Sequence, residues 1–186
     1  MEFEDLQLVN YCYPGCIPLL NIMRLPKDQA FALAAEMADE HPETTAFYRF
    51  GDFINYYELR KNQDAFMYER FIEKGGRPRV THPLSFVMEG SEYLKEWFGN
   101  GQETRIALRD TDPAAVSFTV GDSGADYQRA GSVELLTWDE MKELWRTYGH
   151  SVSRILSDRH KQYIEVQLWT ETVDAAALYR RDGRDP

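Results

Sequence analysis

The chain has 186 residues and a mass of 21.7 kDa, and its 31 acidic residues against 21 basic ones leave a net charge of −10 at pH 7. The acid surplus repels phosphate backbones and argues against general nucleic-acid binding, while 43% hydrophobic and 13% aromatic residues exclude a disordered chain. A single domain of this length buries roughly 70% of its unfolded surface and needs no metal or disulfide to fold. No stretch approaches the ~20 apolar residues of a membrane span. The acidic start, Met1-Glu-Phe-Glu-Asp5, lacks the basic residues and apolar run of a secretory leader, so the expected setting is the cytoplasm.

Cys12 and Cys16 stand in Tyr-Cys-Tyr-Pro-Gly-Cys with three residues between them. A thioredoxin-like redox turn has two, so both are expected to be free thiols. Residues 17–25 read as a short strand. Residues 27–40 are Ala-rich and predict a helix ended by Pro42. Residues 45–50 are β-rich and read as a strand. A long aromatic helix is expected over 53–74, closed by Gly75-Gly76. On a helical wheel its Phe53, Tyr57, Met67, Tyr68 and Phe71 share one side, and Arg60 and Asp64 fall in the middle of that side. They are four residues apart, so their side chains can meet.

Further on, Leu84, Phe86 and Met88 alternate with Ser85 and Val87 as in a strand. Ser91 can cap a short helix carrying Tyr93, Leu94, Trp97 and Phe98. Strands are expected at 104–108 and 116–120. The Gly-, Asp- and Ser-rich residues 121–132 read as a loop, followed by a short strand at 133–136. Thr137 is placed to cap a helix bearing Trp138, Met141, Leu144 and Trp145, and a further helix is expected over 151–160. The clearest strand is 163–169: Ile164, Val166 and Leu168 point to the core, and Tyr163, Glu165, Gln167 and Trp169 point the other way, with Gln167 expected to tolerate a charge. The pattern predicts an α+β fold: one domain over residues 1–170, a mostly antiparallel or mixed sheet, helices packed on one face, and a flexible tail over 171–186.

No chemical motif dominates. Gly121-Asp-Ser-Gly124 is compatible with a nucleophilic serine, but nothing places a base within its reach, and turn chemistry explains the four residues better. His41, His82, His150 and His160 share no metal-ligand spacing. No metal or cofactor is expected. Lys74, Arg77, Arg79 and His82 form the local basic cluster, which is expected to be neutralised internally. Trp97, Trp138 and Trp145 are expected to pack in the core. The residues singled out as a candidate pocket are Arg60, Asp64, His82 and Glu165.

Three segments carry a family resemblance: Thr81-His-Pro-Leu-Ser-Phe-Val-Met-Glu-Gly-Ser91 within residues 74–98, Ala115-Val-Ser-Phe-Thr-Val-Gly-Asp-Ser123, and Tyr163-Ile-Glu-Val-Gln-Leu-Trp169. Across residues 26–169 the chain resembles small acidic proteins of unknown function encoded on bacterial conjugative or phage-like mobile elements. The resemblance implies a bacterial cytosol and an accessory role, and it assigns no catalytic residue. The leading expectation is therefore a non-enzymatic accessory protein whose partner is another protein. Two alternatives compete with it. One is a nucleotide-binding enzyme similar to the ADP-ribosyltransferase class, which would use Glu165 on its late strand. The other is an acidic mimic of DNA, which needs carboxylates in rows uninterrupted by bases.

Overall fold

The computed structural model describes residues 2–42 and 45–171. Its strands are β1 (Gln7–Cys12), β2 (Leu84–Met88), β3 (Gln102–Ala107), β4 (Val116–Val120) and β5 (Ile164–Leu168). They form one antiparallel sheet in the order β3-β1-β2-β5-β4. The helices are α1 (Lys27–Glu40), α2 (Phe53–Glu73), α3 (Glu92–Trp97), α4 (Ser123–Ala130), α5 (Trp138–Thr147) and α6 (Val152–Arg159). The α+β expectation with an antiparallel sheet is what the molecule shows.

The alternation along each strand sorts the two faces. One face collects Leu8, Phe86, Ile106, Phe118 and Val166 under Met141 and Trp145 of α5 and Ile155 of α6. Each such side chain contributes roughly 1.5–3 kcal/mol by leaving water. The helix starts on this side are built locally. Thr137 and Glu140 form a reciprocal capping box at α5, and Ser151 accepts from the Arg154 amide at α6. The opposite face is covered as well. There α2 lays Met67 and Phe71 against Trp169, Val133 and Leu135, and α1 packs Ala30 and Ala34 against Phe53 at the start of α2.

That second layer changes the reading of Gln167. It is 1% exposed, and it belongs to a chain of hydrogen bonds along the covered face. Trp169 Nε1 donates to Ser117 Oγ (2.9 Å), Ser117 Oγ to Gln167 Oε1 (2.8 Å), and Gln167 Nε2 to Thr119 Oγ1 (3.1 Å). Polar residues at alternate positions look like a wet face in sequence. Here they are dry and satisfy one another.

Four local expectations are corrected. Residues 17–25 contain no strand: Asn21 caps a single 3-10 turn, Ile22–Arg24. Residues 45–50 form 3-10 turns in place of a strand. The loop expected over 121–132 is α4, because Asp122 accepts from the Ala125 amide as its N-cap and Gly131 ends it in the left-handed region. Residues 133–136 are not a strand; Leu136 makes an isolated antiparallel bridge to Phe118. Strand β1, second in the sheet order, carries no clean alternation and is not among the strands expected from sequence. Residues 170 and 171 are held by Arg24, whose guanidinium donates to both of their carbonyls at 2.9 Å; the remainder of the expected tail, 172–186, lies outside the described residues.

The α2 terminus follows the expectation. The Gly76 amide returns to the Phe71 carbonyl at 2.8 Å, and a Cβ on Gly76 would stand 2.5 Å from the Phe71 ring. Glycine is required there for close approach rather than for flexibility.

Val166→Asp should remove most of the stability by placing a charge among fully buried apolar side chains. Gln167→Asp should lose about 1–3 kcal/mol, since it leaves buried hydroxyl partners without their amide. Urea midpoints of the two variants against the parent measure both.

Candidate functional site

The buried stripe of α2 is apolar at both ends and polar in its middle. Gln63 and Asp64 are each 1% exposed, between Phe53 on one side and Met67 and Phe71 on the other. Helix geometry forces this placement, because positions 60, 63, 64, 67 and 71 fall on one face. Asp64 has two partners. Arg60 Nη2 approaches Oδ1 at 3.3 Å from one turn earlier, and His82 Nδ1 donates to Oδ2 at 2.7 Å. The carboxylate thereby orients the His82 ring through Nδ1. His82 is held from behind as well, since its carbonyl accepts from Arg24 Nε at 2.7 Å.

Glu165 projects from β5 on the same side of the sheet. Its Oε2 accepts from the Ser123 amide at the first turn of α4 (3.1 Å) and lies 3.4 Å from Thr119 Oγ1. The hydrogen-bond chain that starts at Trp169 thus ends on this carboxylate. Burial pushes the Glu165 carboxyl up, and the hydrogen bonds to Ser123 and the Arg60 charge offset that only in part. For Arg60, burial acts downward, but Asp64, Tyr56, Glu165 and Asp122 outweigh it and hold the guanidinium above its ordinary value. Tyr163 is raised well above a usual phenol, first by burial and then by Asp122 and Glu165.

The residues anticipated from sequence therefore converge. Asp64 touches both Arg60 and His82, and Arg60 stands within electrostatic reach of Glu165. Sequence reasoning missed Gln63 and its link to Ser123, which joins α2 to α4 through Gln63 Nε2 and Ser123 Oγ at 2.8 Å. Ser123 does not have the setting of a nucleophile. Its Oγ instead accepts from an amide, and it is 1% exposed. Two polar atoms of the cluster are buried without a partner, Arg60 Nε and Gln63 Oε1. The Arg60 side chain keeps 19% of its surface open, so part of it reaches the edge of the cluster while its Nε stays inside.

Other features are occupied. In the basic cluster, Lys74 pairs with Glu140 and Arg79 with Asp112. A groove between α4, α5 and α6 is lined by charges that pair with one another, Arg129 and Lys161 with Asp126 and Arg159 with Glu134. Cys12 and Cys16 are free thiols, and burial raises both above the usual thiol range, which lowers their reactivity. Among the described residues no group of three or more His, Cys, Asp or Glu is placed to hold a metal ion.

Asp64→Ala should destabilise the protein by more than about 2 kcal/mol, because it leaves the Arg60 charge without its partner, and Asp64→Asn should lose less by keeping an acceptor for His82; chemical denaturation reads both. A carboxyl with a raised folded-state pKa binds its proton more tightly when folded, so its contribution to stability falls as pH rises from the ordinary carboxylate range. The melting temperature of Glu165→Gln should therefore gain on the parent between pH 4 and pH 7, and a constant difference across that range would contradict the burial of the charge.

No protein-family model matches this chain, and comparison with curated proteins and with solved structures gives no match.

Proposed function

We propose that the chain is an accessory binding protein and that Arg60 is the seat of a ligand carrying an oxyanion. The observation that carries this reading is the state of the Arg60 guanidinium. It is held in place by Asp64, raised in affinity for its proton, and left with a buried Nε that has no acceptor. A guanidinium meets phosphate or carboxylate with two parallel hydrogen bonds, whereas Asp64 takes one of its donors at 3.3 Å. Fixing the side chain in advance lowers the ordering cost of binding. A bacterial cytoplasm and a mobile element are the setting we propose from the resemblance of the three segments. The absence, among the described residues, of a helix long and apolar enough to cross a membrane is compatible with that setting.

A second reading, an enzyme acting on nucleotides and similar to the ADP-ribosyltransferase class, is favoured by one observation: Arg60, Ser123 and Glu165 share a network. It is weakened by the placement of Arg60 on a helix and by the engagement of the Glu165 carboxylate with Ser123 and Thr119. The DNA-mimic reading has less support, because bases interrupt the acids: Lys95 and Arg105 flank Glu103, and Lys142 meets Glu4.

In isothermal titration calorimetry with inorganic phosphate and pyrophosphate, the parent should bind at least one of the two, and Arg60→Lys should weaken it tenfold or more while melting at a similar temperature. A lysine keeps the charge beside Asp64 and loses the fork. No heat with either anion would remove Arg60 as the seat. Release of nicotinamide from NAD on incubation with the protein would move the second reading ahead of the first.

A further inference from the structure

Around Arg60 the aromatic side chains are joined into a closed circuit. Tyr56, one turn before Arg60 on α2, adds to the field that raises it. The Arg49 guanidinium lies 5.9 Å from the Tyr56 ring centre and 5.3 Å from that of Tyr48. Tyr48 meets Trp97 edge to face at 6.0 Å, and Trp97 lies 5.9 Å from Tyr93. Tyr93 is nearly parallel to Tyr163, with an angle of 12° and centroids 6.5 Å apart. Tyr163 immediately precedes β5, two residues before Glu165, and lies within electrostatic reach of it. Glu165 accepts from the Ser123 amide, and the Ser123 hydroxyl accepts from Gln63, one turn after Arg60 on α2, which closes the loop. The members come from α2, α3, α4, β5 with the residue before it, and the turn before α2. Tyr48 and Tyr93 are among the exposed large hydrophobic residues, at 58% and 45%.

We infer that the ligand seated at Arg60 is a nucleoside phosphate, its phosphate meeting the guanidinium groups of Arg60 and Arg49 and its base lying against the aromatic side chains of the circuit. This rests on the oxyanion seat proposed above and adds the other half of the ligand. Three features argue for it. Aromatic faces stack bases of any kind, because every base has a π-face. Arginine supplies the planar phosphate contact. The exposed Asp122, which caps α4, offers an acceptor to a base amino group or a ribose hydroxyl. The net charge of −10 opposes a polyanionic strand, so a mononucleotide suits the molecule better than a polymer.

Calorimetric titration of the full chain with AMP, GMP, CMP and UMP, with the four parent nucleosides and with inorganic phosphate tests this. At least one monophosphate should bind tenfold or more tighter than both its nucleoside and inorganic phosphate. Tyr93→Ala, at an exposed position, should bring that monophosphate down to the affinity of phosphate and leave phosphate binding unchanged. Monophosphates that bind no better than phosphate, or a Tyr93→Ala variant that binds them as well as the parent, would overturn the nucleoside assignment and leave the oxyanion seat standing. Nucleosides that bind as tightly as their monophosphates, or no binding by any phosphate-bearing compound, would overturn both.

Discussion

One buried carboxylate holds distant parts of this chain together. Asp64 enters the interior on α2 and fixes His82 in the connector before β2, and the His82 carbonyl fixes Arg24. Arg24 then reaches the carbonyls of Thr170 and Glu171, which follow β5. An isolated buried carboxylate is strongly unfavourable, so such groups persist where hydrogen bonds and opposite charge surround them. The arrangement therefore demands Arg60, His82 and Arg24 in their places. The layer that α2 makes on the sheet is oriented by that demand as much as by the burial of Met67 and Phe71.

The face beneath α2 obeys the same rule in neutral form. Donors run from Trp169 through Ser117, Gln167 and Thr119 toward Glu165, and the amide of Ser123 meets that carboxylate from α4. Apolar packing of the same shape would specify the position of α2 less sharply, since every member of a hydrogen-bonded chain has one acceptable geometry. The two systems meet at Arg60, which answers Asp64 within α2 and senses Glu165 across from it. The proposed function concentrates on this guanidinium because its Nε is buried without an acceptor.

Much of this architecture is legible in the sequence wherever the signal is local. Thr137, Ser151 and Ser91 announce helix starts through side-chain chemistry that acts over three residues, and the alternation of 164–168 gives the buried face of β5 directly. The wheel of α2 places Arg60 and Asp64 on its buried side without any knowledge of the sheet. What sequence hides is partnership across space. His82 is 18 residues from Asp64, and nothing local pairs them. Residues 121–124 have the composition of a turn, yet Asp122 uses the same hydrogen-bonding habit to cap α4. The aromatic circuit around Arg60 draws on segments separated by more than one hundred residues, so no window of the sequence contains it.

The strand pairing also constrains how the molecule can be made. No two strands adjacent in the sheet are joined by a short turn: β1 waits for partners at 84–88 and 102–107, and β4 finds its neighbour only at 164–168. Pairings of this kind close long loops before they return any contact energy, which slows folding and lengthens the exposure of unpaired edges. Strand β5 is inserted between β2 and β4 and is the piece that joins them. A chain emerging from the ribosome can assemble β3, β1 and β2 while β4 remains without a neighbour. The sheet becomes one object only when the last strand has been synthesised.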